Sequence, residues 1–217
     1  MKTITLDQWK VVLTAVGDAI AAQEKHLNEL DSLIGDGDHG SSMKRGFEAV
    51  RSLIAVSSYT TVGELFSGVG SVMLQEIGGA VGPLLGSFFT AAARQARELN
   101  EVDLAVWSAM FTAGVAKVRQ FGKASPGDKT MLDALQPACD AFEIANRQSL
   151  PLQDAFRKAA GEARLGAEHT AGWVAKFGRA KFLGERAIGH QDPGATSIYL
   201  MLDAMAEALS RMEEESR

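Results

Sequence analysis

Asp31-Ser32-Leu33-Ile34-Gly35-Asp36-Gly37-Asp38-His39-Gly40 is the stretch around which the rest of this chain is organised. Three carboxylates (Asp31, Asp36, Asp38) and the imidazole of His39 fall together here, and three glycines let the backbone fold tightly around them. Carboxylates packed this closely repel one another unless positive charge sits between them. A hard divalent cation with oxygen ligands is the usual neutraliser, and Mg²⁺ characteristically shares such a site with substrate phosphates. The plainer alternative is a solvated acidic turn or the N-cap of the next helix, since Asp and Gly are ordinary turn residues. The density of the stretch favours the metal. An EF-hand starting at Asp36 would need a bidentate Glu where the chain has Phe47. A phosphatase-type Asp-x-Asp nucleophile would follow an apolar strand, whereas residues 6–30 read as helix.

Working outward, apolar residues recur at helical spacing almost everywhere and β-branched alternation is scarce. The first helix starts at Thr5, with Gln8 completing a capping box, buries Trp9, Val12, Leu13, Val16 and Ile20, and runs to about Asp31. The pattern predicts further helices over 41–57, 61–77 (Thr61 and Glu64 forming a second capping box), about 86–99, 102–121, 130–146, 152–177 and 194–214. Pro137 implies a kink in the sixth. The expected fold is all-α, with eight helices in a single domain over 1–217.

Glycines decide how those helices are arranged. Glycine-rich loops fall at 35–40, 78–86, 122–127 and 178–194, and between consecutive ones lie two helices joined by a short polar turn. Short connections favour antiparallel neighbours, so each helix pair returns the chain to the end it left. All four loops then gather at one end of an up-down bundle or barrel, and that end reads as the active one.

Each loop has chemistry to offer. Gly78-Gly79-Ala80-Val81-Gly82-Pro83 opens a helix and exposes backbone N–H groups suited to phosphate, although close helix packing through small residues would use the same sequence. In Ser125-Pro126-Gly127-Asp128-Lys129-Thr130-Met131, Lys129 could face phosphate oxygens, but capping of the next helix by Asp128 or Thr130 is the safer reading. The fourth loop is too long for a mere connector and reads as a lid, ordered by Phe182, Leu183 and Ile188, with His190 as a lid residue.

Composition narrows the alternatives. The chain has 217 residues, 23% of them charged and 46% apolar, which is ordinary for a globular protein with a sizeable core. A net charge of −5 gives no electrostatic case for nucleic acid or an anionic membrane. The single cysteine, Cys139, supplies no disulfide framework. With neither a basic-then-apolar leader nor a long apolar run, the chain reads as cytoplasmic.

Together, Asp31 with the Gly35-Asp36-Gly37-Asp38-His39-Gly40 run, Gly78-Gly79-Ala80-x-Gly82-Pro83, Pro126-Gly127-Asp128-Lys129-Thr130-Met131 and the run from Gly184 to Thr196 resemble the nucleotide-binding L subunit of dihydroxyacetone kinase over essentially the whole chain. The resemblance implies an eight-helix antiparallel barrel holding ADP or ATP at one end through two Mg²⁺ ions. By that likeness Asp31, Asp36 and Asp38 bind metal. Nucleotide contacts fall on His39, Gly40, Ser41 and Ser42, on Ala80 and Val81, on Gly122 and Met131, on Arg179, and on Asp192, Pro193 and Gly194. The family's sugar, dihydroxyacetone or a related short keto-sugar, is held covalently by a separate K subunit. Stand-alone L subunits resemble the bacterial type, in which resident ADP is rephosphorylated by a phosphohistidine protein of the phosphotransferase system. Direct use of ATP, and a non-catalytic nucleotide-loaded regulatory subunit, are the other expectations. Where the family's glycine loop usually has Ser this chain has Val81, and Lys181 and Phe182 replace the usual Ser and Tyr. No general base is expected on this chain.

Overall fold

In the computed structural model, which describes residues 1–215, nine α-helices account for most of the chain. They are α1 (Leu6–Ala22), α2 (Glu24–Ile34), α3 (His39–Val56), α4 (Val62–Glu76), α5 (Val81–Ala93), α6 (Leu104–Gly122), α7 (Leu132–Arg147), α8 (Leu152–His169) and α9 (Pro193–Glu215). Two short strands, β1 (Thr3–Thr5) and β2 (Glu101–Asp103), form an antiparallel ribbon in which Ile4 pairs with Val102. Both expected capping boxes are present: Thr5 with Gln8 starts α1, and Thr61 with Glu64 starts α4.

The single long first helix divides at Gln23 into α1 and α2, and the seventh stops at His169, eight residues short of its expected end. Helical periodicity continues across Gln23, so sequence spacing alone does not show the break.

Packing closes the helices into a ring. Each of α3 to α9 lies against its sequence neighbour, and α9 returns to α1, which packs on α3. The bridging helix α2 rests on α3 and α9. Eight helices therefore make the barrel, as expected, with α2 as an extra piece at its rim.

At one end, Leu6 of α1 and Val62 of α4 donate their N–H groups to the carbonyls of Asn100 and Leu99, and Asp103 caps α6 through Val106 N–H (2.8 Å). Three helices thus start together there. The glycine loops occupy the other end.

Large side chains fill the interior. Trp9 and Trp107 lie 4.8 Å apart between ring centroids, Trp107 stacks on Phe156 at 5.1 Å, and Phe66, Phe89, Phe111 and Phe142 surround them. Trp9, Phe66, Trp107, Phe142 and Phe156 come from α1, α4, α6, α7 and α8, and Phe47, Phe89 and Met201 add α3, α5 and α9, so each ring helix contributes to one contiguous core.

Two glycines of α8 show where that packing is tight. A Cβ on Gly166 would run into the Asp133 carbonyl of α7, whereas one on Gly161 would meet nothing within 4 Å. Gly166→Ala is expected to destabilise by on the order of 1–3 kcal/mol. Gly161→Ala should stabilise by roughly 0.5–1 kcal/mol, as glycine is the poorer helix former. Thermal melts that moved both variants the same way would refute the α7–α8 contact.

Candidate functional site

Asp31 lies in the last turn of α2 and builds the acidic loop. Its Oδ2 accepts the backbone N–H groups of Gly37 (2.8 Å), Asp38 (3.0 Å) and His39 (3.3 Å). Gly37 turns the chain at φ 81°, and a Cβ on Gly35 would collide with the Asp31 carboxylate. The curled loop brings one oxygen from each of Asp31, Asp36 and Asp38 within 4.8 Å of the others. Across the mouth, Arg179 is ion-paired with Asp36. Three converging hard oxygens suit a divalent cation of the Mg²⁺ class.

The acidic loop opens into a cavity of about 530 Å³. Of the expected site residues, Asp31, Asp36, Asp38, His39, Ser42, Ala80, Val81, Gly122, Met131, Arg179, Asp192, Pro193 and Gly194 all line it. Gly40 and Ser41 do not. Ser41 donates to Glu24 (3.0 Å) and accepts from Asn28 (2.9 Å), and Gly40 lies against the Glu24 carbonyl, so both fasten α3 to α2. Residues 39 and 42 share one helix face, and 40 and 41 turn away from it.

Helices α3, α5, α7 and α9 all begin at this cavity, while α2, α4 and α6 end there. Their dipoles largely offset one another, so individual N–H groups matter more than the summed field. Gly79 takes φ 65°, and Ala80 gives α5 no side-chain cap, leaving first-turn N–H groups of α5 available to an anion. Leu84, Val118, Phe121, Ala124, Met131 and Phe177 supply apolar lining.

His39 is buried, and its Nε2 lies 3.0 Å from Ser197 Oγ. Ser197 Oγ also lies 3.0 Å from the Gly194 carbonyl, so the imidazole and the first turn of α9 are joined through this hydroxyl. Burial lowers the imidazole pKa against the opposing pull of Asp31 and Asp38.

Lys129 does not point at phosphate. It is 2% exposed and donates to the backbone carbonyls of Thr170 and Trp173, just after α8, and to those of Ala187 and His190 in the fourth loop. Nor does Asp128 cap α7. It accepts from Lys176 Nζ (2.6 Å) and Ser125 N–H (2.7 Å), which hold its carboxyl below the usual range. Asp133 instead accepts from Gly127 (2.5 Å) and Thr130 (2.7 Å) N–H groups, and Thr130 Oγ1 accepts from Leu132.

The fourth loop is ordered, and of the three residues expected to order it only Leu183 does so. Phe182 and Ile188 are exposed, Lys181 lies over the Phe182 ring, and a small core of Ile34, Ala175, Ala180 and Ala187, with Leu183 against it, holds the segment together.

A groove of about 620 Å³ lies between α8 and α9. Its Arg157, Arg164 and Arg211 pair with Asp154, Glu168 and Glu207, so it concentrates no surplus charge.

A family model described as the DAK2 domain matches residues 33–207. The chain belongs to the DAK2 domain family. It is 39% identical over 196 residues to the PEP-dependent dihydroxyacetone kinase, ADP-binding subunit DhaL, of Escherichia coli, covering 90% of this chain and 93% of that protein. The corresponding PTS-dependent subunit of Lactococcus lactis is 32% identical over 207 residues, 95% of this chain and all of that one. The crystal structure of the C. freundii dihydroxyacetone kinase in complex with AMP-PNP and Mg²⁺ superposes with a TM-score of 0.71 at 29% identity, over 92% of this chain and 33% of that one. The all-α up-down architecture expected from the glycine loops is thus the one observed.

Within this DAK2 chain, Asp192 caps α9 by accepting from Ala195 N–H (2.7 Å), and burial raises its pKa from 3.8 to about 7. A carboxyl raised in the fold contributes stability in full below its unfolded value and loses it as pH climbs through its folded one. Asp192→Asn keeps an oxygen for Ala195 and removes the titration. The variant's stability relative to wild type is expected to grow between about pH 4 and 7, by on the order of a few kcal/mol. Melting curves across that range whose difference stayed flat would rule it out.

Proposed function

We propose that the chain is the nucleotide-binding subunit of a dihydroxyacetone kinase, a single domain spanning residues 1–217 that works in the cytoplasm. In this reading it passes a phosphoryl group from Mg-nucleotide to a keto-sugar held on a separate K subunit. The observation that carries it is the convergence of the three aspartates, the Gly78–Gly79 loop and Arg179 on one cavity. The chain's near full-length likeness to an ADP-binding subunit supports it. The cavity's size lies within the range of small-ligand and cofactor sites. No helix among the described residues is long and apolar enough to cross a membrane.

Asp31, Asp36 and Asp38 would hold two Mg²⁺ ions, which when bound offset the phosphate charge and fix the phosphates in line for transfer. The chain's own groups position the nucleotide. Backbone N–H groups at Ala80 and Val81 would donate to phosphate oxygens, and Arg179, beside Asp36 at the mouth, would add a positive charge there. Apolar walls at Leu84, Gly122 and Met131 take the base, with Pro193 and Gly194 closing the site. His39, kept neutral by burial, orients the start of α9 through Ser197 and takes no proton from the acceptor. Phosphoryl transfer asks chiefly for positioning and charge stabilisation, so this chain needs no general base.

ADP would stay bound and be rephosphorylated in place by a phosphohistidine protein of the phosphotransferase system; exchangeable ATP is the alternative donor. Val81, which offers no hydroxyl in the glycine loop, keeps open a non-catalytic subunit that binds nucleotide only to regulate a partner. Reconstitution with a K subunit separates the two, because the regulatory reading gives no sugar phosphate.

Asp31 organises the loop backbone, so Asp36 is the cleaner probe of the metal. Asp36→Ala is expected to weaken Mg²⁺-dependent ADP binding by at least about 100-fold, from the loss of a charged ligand and its second oxygen, with helicity unchanged. Calorimetry showing wild-type affinity would sink the metal assignment. Native mass spectrometry of gently purified protein is expected to find ADP retained with two Mg²⁺; reversible ATP binding by an otherwise empty chain would favour the direct donor.

A further inference from the structure

The connection from α8 to α9, residues 170–192, leaves α8 at Thr170, carries Lys176 and Arg179 outward, and returns through the fourth loop to α9 at Asp192. One ammonium from another loop holds both of its arms. Lys129 Nζ lies 2.9 Å from the Thr170 carbonyl and 3.2 Å from that of Trp173 on the outgoing arm. On the returning arm it lies 2.7 Å from the Ala187 carbonyl and 2.6 Å from that of His190. An ammonium has three protons, so four carbonyls already share all of them. None remains for a phosphate, although Lys129 borders the cavity. The arms are also joined by Gly189 N–H to the Ala171 carbonyl (2.7 Å) and Asp192 N–H to Thr170 Oγ1 (2.8 Å).

We propose that Lys129 is a positioning residue: by clamping both arms of the 170–192 loop it sets Arg179 opposite Asp36 at the cavity mouth. Only a charged donor satisfies the arrangement. Four carbonyl oxygens point at one buried position with their dipoles aligned unfavourably, and a neutral side chain would leave that repulsion and several acceptors unmet. Between the clamped points, the free span is tied outward by Lys176 to Asp128 (2.6 Å) and by Arg179 to Asp36. Lys129 itself takes φ 60°, a left-handed conformation that a lysine holds only where its surroundings fix it. The functional part of the inference rests on the nucleotide reading, since Arg179 is useful there only if phosphate binds beside Asp36.

Lys129→Ala and Lys129→Gln, the second keeping two N–H donors, test it in the full chain by amide hydrogen exchange and by calorimetry with Mg-ADP. In Lys129→Ala, amides of the 173–189 span are expected to exchange at least tenfold faster while those of α1 and α4 keep their rates. The Mg-ADP dissociation constant should rise at least tenfold. Propylammonium should restore both and tetramethylammonium, which has no N–H, neither; the Gln variant should fall between and decides the matter if the Ala variant does not fold. Unchanged exchange in the loop with weakened nucleotide binding would overturn the clamp in favour of direct phosphate contact. Faster exchange throughout the barrel would overturn it in favour of a general fold residue. A wild-type chain that binds no Mg-ADP removes the nucleotide reading, and the exchange comparison still decides the clamp.

Discussion

Closure of the helix ring, α9 against α1, is the constraint on which the rest depends. A ring of sequence neighbours joined by short connections can close only if the helices alternate up and down. Alternation in turn puts every second connection at the same end. The far end is tied by backbone hydrogen bonds from Leu6 and Val62 to the segment before β2, leaving the near end free for loops whose sequences serve chemistry. The aromatic layer of Trp9, Trp107, Phe142 and Phe156 holds the ring at that geometry. A rigid barrel is what allows loops remote in sequence to present side chains to a common cavity.

At the near end the dominant problem is charge. Asp31, Asp36 and Asp38 converge, Asp192 is half-buried close by, and Lys129 is buried behind them. The backbone solves most of it. Asp31 is surrounded by N–H groups, Asp192 receives the N–H of Ala195, and Lys129 is surrounded by carbonyls. Buried charges satisfied by backbone dipoles keep fixed positions, because moving them would strand several polar groups at once. Asp36, Asp38 and Arg179 are the exposed members, and these are the groups left free to exchange partners with a metal or a phosphate.

Much of this was legible from local pattern. Helical spacing, the capping boxes at Thr5 and Thr61 and the glycine loops gave the all-α ring, and the site residues implied by the family resemblance mostly line one cavity. The misses share a cause. Gly40 and Ser41 sit in the same run as His39 and Ser42, yet α3 turns them toward α2. Phe182 and Ile188 are large apolar residues of the lid, yet alanines and Leu183 fit against Ile34 and these two side chains stay outside. A lysine beside a helix start resembles a phosphate ligand, and no sequence spacing reveals four carbonyls more than forty residues away.

By itself, then, the sequence determined what repeats locally: which segments are helical, where they start, where the backbone must turn, and which residue types could meet a cation and phosphates. Those properties are set by side chains within a turn or two of one another. Tertiary structure alone decided the break at Gln23, the direction each loop residue faces, and the partners of Lys129, Asp128 and Asp192. Those depend on distances between segments far apart in the chain, which only the closed barrel fixes.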